Sequence, residues 1–333
     1  MNAFAVKRLW MLPDGVEEWL PDLAWALEDL RGRLLARYRE RGLALIIPPP
    51  VEHLDALLTG AGGELEAQTF KFTDPVSGRL LGLRADMTPQ AARIAARQFP
   101  DRKIVRLCYL GSVLRTHADV PGGPRAVMQV GCEVFGDSRL AADLEIVDLM
   151  LETLELAGVR GIQLSLGHAG ICARLFARLG LDEAARGELF DILQRKSEPD
   201  FNAFADSHGL TRQAASVHAL LDLHGSVTVL AEARQRLGVT EPEIDAALSA
   251  LAHTAEALTR SHPQVGLHVD LAELHGYRYH TGMVFSAFAD GHGGELARGG
   301  RYDGAGREFG LARPATGFSA DLNELLRLGS SAQ

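Results

Sequence analysis

Between residues 16 and 42 the apolar positions Leu20, Leu23, Leu27, Leu30 and Leu34 recur at steps of three and four. That period places them on one face of an α-helix. Acids lead the segment (Glu17, Glu18, Asp22), bases close it (Arg37, Arg39, Arg41), and Gly42 supplies a stop, an order that complements the helix dipole. The pattern then shortens. "LALIIPPP" reads as an apolar strand ended by three prolines, which have no N–H to give a sheet ladder. "TFKFTDPVSGRLLGLRADMT" reads as a hairpin around an Asp-Pro-Val-Ser-Gly turn. A helix is expected over 89–98, strands over "KIVRLCYLGSVLRTH" and "RAVMQVGCEVFG", and a helix over 143–157. From about 169 to 261 Ala, Leu, Arg and Glu dominate, with little strand signal beyond "SVTVL", so this stretch reads as a helical insertion. Strand patterns return in "VGLHVDLAEL" and "MVFSAFA", and a helix is expected over about 319–328. Hairpin-joined strands with helices grouped apart predict an α+β domain, an antiparallel sheet flanked by helices, spanning 1–333.

Composition narrows the function classes. Apolar residues make up 47% and charged residues 23% of the 333, ordinary proportions for a globular chain. A formal charge of −9 argues against tRNA or duplex as the main partner, because phosphate binding rests on Lys and Arg. Cys108, Cys132 and Cys172 are too scattered for a disulfide framework or a metal site, and read as small apolar fillers in a reducing compartment. No apolar run approaches the about 20 residues of a membrane span, and the first 22 residues hold no sustained apolar segment. A cytoplasmic protein is expected. "GGRYDG" fits neither a GxxxxGK[ST] phosphate loop nor a dinucleotide GxGxxG, and taken alone is a glycine-rich turn.

Taken together, the segments have an order. "MLPDGVEEWLP" is followed by the proline-ended strand of 42–50, then "LRADMT", "VLRTH…MQVGCEVFG", "HGYRYHTGMVF", "GGRYDG" and "PATGFSADLNELL". This series resembles the class II aminoacyl-tRNA synthetase core, and the histidyl-tRNA synthetase family in particular. There the corresponding segments read "LRPEGT", motif 2 with "Q-x-G-x-E-x-x-G", "RGLDYYTGTVFE", "GGRYDG" and the motif 3 "PATGFAIGMERL". The resemblance implies the class II fold and a histidine pocket formed by Asp86, Thr88, Arg115, Gln129, Glu133, Tyr279, His280 and Tyr302. It implies no cofactor and no metal.

The departures bear on function. Amino-acid activation builds charge on phosphoryl oxygens that fixed cations must meet. Of the three arginines the family uses, only Arg115 remains, with His275 and Glu324 in the other two places, and the motif 2 acid is His117. Asp86 is one methylene shorter than the family's Glu, and His280 replaces a tyrosine. The chain stops at Gln333, where the synthetases continue into an anticodon-binding domain, so tRNA binding is not expected. This combination resembles the regulatory subunits of ATP phosphoribosyltransferase. That resemblance implies a non-catalytic chain that joins a short catalytic subunit in a hetero-oligomer for the first step of histidine biosynthesis. It further implies feedback inhibition by L-histidine and a homodimer through motif 1, at about 43–58. Exposed positions of the helical insertion are candidates for the partner-facing surface. The alternatives are a residual histidine-activating enzyme and a scaffold that senses nothing.

Overall fold

The computed structural model describes residues 11–59, 63–118, 122–210, 214–237, 241–273 and 279–331. In chain order the strands are β1 (Ala44–Ile46), β2 (Val51–His53), β3 (Phe70–Thr73), β4 (Leu80–Leu83), β5 (Val105–Leu114) and β6 (Ala126–Phe135). They continue with β7 (Ile162–His168), β8 (His224–Gly225), β9 (Gly266–Asp270), β10 (Met283–Ala289), β11 (Ala297–Arg301) and β12 (Ala315–Asp321). One sheet has nine strands in the order β1-β5-β6-β12-β11-β10-β7-β9-β8, and a second has three in the order β2-β4-β3. The middle of the large sheet, from β5 to β7, is antiparallel throughout. β1 against β5 and β9 against β7 are parallel, so the sheet is mixed towards its edges.

Strand alternation divides the large sheet into unlike faces. On one face Cys108, Leu110, Val130, Cys132, Phe318 and Phe285 are all buried. The helices Leu140–Leu156, Pro242–Ser261 and Leu322–Ser331 pack there, and the long helix Pro21–Glu40 packs on the first and last of them. On the opposite face the same strands present Gln129, Gly131, Glu133, Gly317, Ser319 and Gly300. The helix Thr88–Gln98 covers part of that face through Ala91 and Ala95, together with Met87 just before it. The rest of this face carries the candidate site residues.

Several expected elements shift. The first helix begins at Pro21, whose fixed φ suits a first turn. "SVTVL" is not a strand: only His224–Gly225 pairs, and the chain turns through Ser226 and Thr228 into a helix, Val229–Arg236. Val229, Leu230, Ala233 and Leu237 bury at helical spacing and outweigh the β-branched run. The closing helix starts at Leu322, because residues 315–321 alternate as a central strand, and Asp321 Oδ1 then accepts the Asn323 N–H at 2.9 Å. The strand pattern of 162–168 and the glycine-rich β11 went unread. Between β7 and β9 the helices Ala169–Ala177, Glu183–Gln194, Glu198–Ser207 and Pro242–Ser261 carry most of the chain. Among the described residues no helix is long and apolar enough to cross a membrane.

Candidate functional site

Gly131, Gly317, Gly300 and Gly167 lie across β6, β12, β11 and β7 on this face, and Ser165, Ser286 and Ser319 extend it. At each of the four glycines a neighbour lies closer than 3.0 Å to where a Cβ would stand. Two of these contacts bear on the site. A Cβ on Gly317 would lie 1.6 Å from Glu133 Oε2, and one on Gly131 would lie 2.5 Å from the Tyr109 ring and hydroxyl.

Glu133 lies at one end of this face and is 1% exposed. Its Oε1 accepts from the Tyr109 hydroxyl at 3.0 Å and its Oε2 from the Tyr302 hydroxyl at 2.5 Å. The Tyr109 hydroxyl also meets Thr88 Oγ1 at 2.9 Å. The Thr88 N–H and the Gln129 side-chain amide both donate to Asp86 Oδ1, each at 2.8 Å. Gln129 Oε1 in turn accepts the Met87 N–H at 2.9 Å, which fixes the orientation of its amide. Hydrogen bonds therefore run from Gln129 through Asp86, Thr88, Tyr109 and Glu133 to Tyr302. Tyr279 stacks on Tyr302 with ring centroids 4.7 Å apart and 25° between planes. His280 stands edge-on to Tyr279 at 5.6 Å.

Burial sets the electrostatics here. It pushes Glu133 up to about 8, against the opposing pull of the Tyr302, Tyr109 and Thr88 hydroxyls, while the Asp86 charge adds to the rise. It also pushes the Tyr109, Tyr279 and Tyr302 phenols well above their usual range and the His280 ring down to about 4. A buried acid with hydroxyl neighbours, a second carboxylate and an aromatic wall suits a small ligand that carries a basic ring and an amine.

The other end has a different character. Asp321 lies opposite Gln129 in the β6–β12 ladder, and burial pushes it up to about 6, with the Glu324 charge adding to the rise and Arg115 opposing it. Glu324 pairs with His292 at 3.1 Å. Ser286 donates to Glu295, which meets Arg298 at 3.5 Å. Arg115 reaches the Ala85 carbonyl through Nε at 3.5 Å. The structure thus brings Asp86, Thr88, Gln129, Glu133, Tyr279, His280 and Tyr302 to one end and sets Arg115 towards Asp321. His275 lies outside the described residues. Tyr109 and Asp321 had not been singled out. A lone phenol in the apolar run "VRLCYLGSVL" was the signal for the first, and an acid where the quoted motif 3 has glycine was the signal for the second.

Arg301 of "GGRYDG" plays another part. Its guanidinium donates to Asp143 Oδ2 at 3.0 and 2.9 Å and to the Asp137 carbonyl at 3.1 Å, tying β11 to the helix Leu140–Leu156. It is a structural tie on the opposite face of the sheet.

The histidyl-tRNA synthetase family model matches residues 15–325. An ATP phosphoribosyltransferase regulatory subunit from Thioalkalivibrio sulfidiphilus (strain HL-EbGR7) is 50% identical over 322 residues, 96% of this chain and 81% of that protein. The chain belongs to the ATP phosphoribosyltransferase regulatory subunit family. An ATP phosphoribosyltransferase regulatory subunit/histidyl-tRNA synthetase from Bacillus halodurans C superposes with a TM-score of 0.85 at 27% identity, over 96% of this chain and 83% of that one. A chain of the ATP phosphoribosyl transferase (HisG:HisZ) complex from Thermotoga maritima shares the fold, with a TM-score of 0.66 at 15% identity over 88% of this chain and 96% of its own.

Proposed function

We propose that this regulatory subunit binds L-histidine at the Glu133 end of this sheet face and couples it to a short catalytic chain of ATP phosphoribosyltransferase. The chain forms no aminoacyl adenylate. The observation that carries this is the contrast between the two ends. At one, Gln129, Asp86, Thr88, Tyr109, Glu133 and Tyr302 form an unbroken hydrogen-bonded set. At the other, where the synthetase pattern places an arginine towards ATP, Glu324 stands with Asp321 nearby. One unit charge pair at roughly 4 Å and an effective dielectric near 20 is worth about 4 kcal/mol, and here the sign is reversed. A triphosphate is repelled where it was once held.

Regulation by histidine requires that it bind one state of the assembly better than another. The name of the relative supports an assembly with a catalytic chain, as does the Thermotoga complex that shares the fold. A homodimer is supported by the β1 edge, where Leu45 is 47% and Ile47 79% exposed beside a groove of about 450 Å³ lined by Leu35, Ala36 and Leu43. Titration calorimetry with L-histidine and, separately, ATP tests the reading. Histidine is expected to bind, ATP to give no heat, and pyrophosphate exchange to be absent. Histidine-dependent exchange would instead establish an adenylate-forming enzyme.

A further inference from the structure

The insertion between β7 and β9 grips the chain on both sides of the site's aromatic wall. Just past β9, Leu271 and Ala272 are 0% and 1% exposed. The Lys196 ammonium meets Asp270 Oδ1 at 2.7 Å, and the Gln194 side-chain amide donates to the Ala272 carbonyl at 2.9 Å. The Cys172 thiol donates to the Leu271 carbonyl at 3.2 Å, and the Leu271 N–H donates to the Leu223 carbonyl at 3.1 Å. Further along, the Ala169 N–H, from the first residue of the helix Ala169–Ala177, donates to the Gly282 carbonyl at 2.9 Å. Tyr279 and His280 lie between these two holds in the sequence.

Lys196 occupies a backbone position that suits glycine. Among the described residues it is the one non-glycine residue with a positive φ, 52°. It ends the helix Glu183–Gln194: its N–H donates to the Leu193 carbonyl at 3.1 Å, and the Ser197 N–H donates to the Ile192 carbonyl at 3.2 Å. Glycine is the usual residue in such a helix-ending turn. The backbone gives no reason for a lysine here, but the side chain does. Asp270 Oδ1 also accepts the Ala272 N–H at 2.8 Å, so the ammonium fixes the carboxylate that orders the turn leaving β9. That carboxylate side chain is 17% exposed. Without the ammonium it turns towards water and lets go of the Ala272 N–H. Ser197, the next residue, caps the helix Glu198–Ser207 by accepting the Asp200 N–H at 3.4 Å, so one turn sets two helices of the insertion.

We propose that Lys196 is a positioning residue. Through Asp270 it holds the chain that carries Tyr279 and His280 in the arrangement that takes ligand. It thereby links occupancy of the site to the helices Glu183–Gln194 and Glu198–Ser207. The inference rests on the histidine-binding reading and adds how that site communicates with the insertion. Ligand favours the state with the Lys196–Asp270 pair closed, and the closed pair favours ligand by the same factor.

The test compares the full chain with Lys196→Gly, where glycine keeps the turn and only the side chain is lost. Without ligand, amide hydrogen exchange in the variant should quicken about tenfold at Ala272 and Glu273 and also at Thr281, whose N–H donates to the Arg301 carbonyl at 2.8 Å. Lys196→Arg keeps the charge and should exchange like the unaltered chain. A rise confined to Ala272 and Glu273 would overturn the inference, because the pair would then be a local tie. Calorimetry with L-histidine should give about fivefold weaker affinity for Lys196→Gly, as when about one chain in five holds the binding arrangement, and Lys196→Arg should recover it. Equal affinity in all three chains would also overturn it. If histidine binds none of them, the histidine reading fails, and the exchange at Thr281 alone decides whether Lys196 holds the wall.

Discussion

Glycine at position 317 is a requirement of the carboxylate beside it. With a built Cβ 1.6 Å from Glu133 Oε2, Gly317→Ala must displace either the strand or the acid. The expected cost is ~1–3 kcal/mol of stability, together with loss of histidine binding, read by thermal melting and calorimetry. Asp321 gives a second residue-scale prediction. Its folded value of about 6 lies above the unfolded one, so its contribution favours the folded state at low pH and is lost as pH rises through about 6. Asp321→Asn should therefore stabilise the chain at pH 7 by ~1–3 kcal/mol and leave it little changed at pH 4. An equal effect at both pH values would contradict that origin. Residue-scale features divided by how local they are. Asp86, Gln129 and Glu133 were found through motif resemblance, which carries their order along the chain. Tyr109 was missed because a lone phenol within an apolar strand reads first as core; its partners, Thr88 and Glu133, come from elsewhere in the sequence.

Elements were legible where their own pattern decides them and illegible where neighbours do. The helix Pro21–Glu40 and the strands β5 and β6 follow from their hydrophobic periods. β11 could not be read this way, since "ARGGR" carries two glycines and two arginines. It is a strand because β10 and β12 pair with it on both sides, and Gly299 is forced by the Gly317 carbonyl, 2.2 Å from a built Cβ. Arg301 then locks it to the helix Leu140–Leu156 through Asp143, both side chains nearly inaccessible. Arg301→Ala leaves that carboxylate buried and unpaired, so chemical denaturation should show a loss of ~3–5 kcal/mol. A loss under ~1 kcal/mol would mean the pair adds little beyond its packing. At the β1 edge, Leu45→Glu with Ile47→Glu should shift sedimentation from dimer to monomer without unfolding the chain. An unchanged dimer would place the interface elsewhere.

For the whole molecule, the order β1-β5-β6-β12-β11-β10-β7 brings the beginning, middle and end of the chain to one surface. That juxtaposition cannot be read from hydrophobic periods, because each strand's partners lie far away in sequence. It is what brings residues near 86, 133, 302 and 321 together on one face of the sheet. The proposed exchange of catalysis for sensing is tested by phosphoribosyl transfer by the short catalytic subunit, measured with and without this chain while L-histidine is titrated in. Activation by the chain that histidine reverses, and that Glu133→Gln makes insensitive to histidine, is the predicted result. A catalytic subunit whose rate is the same in every arm would contradict it.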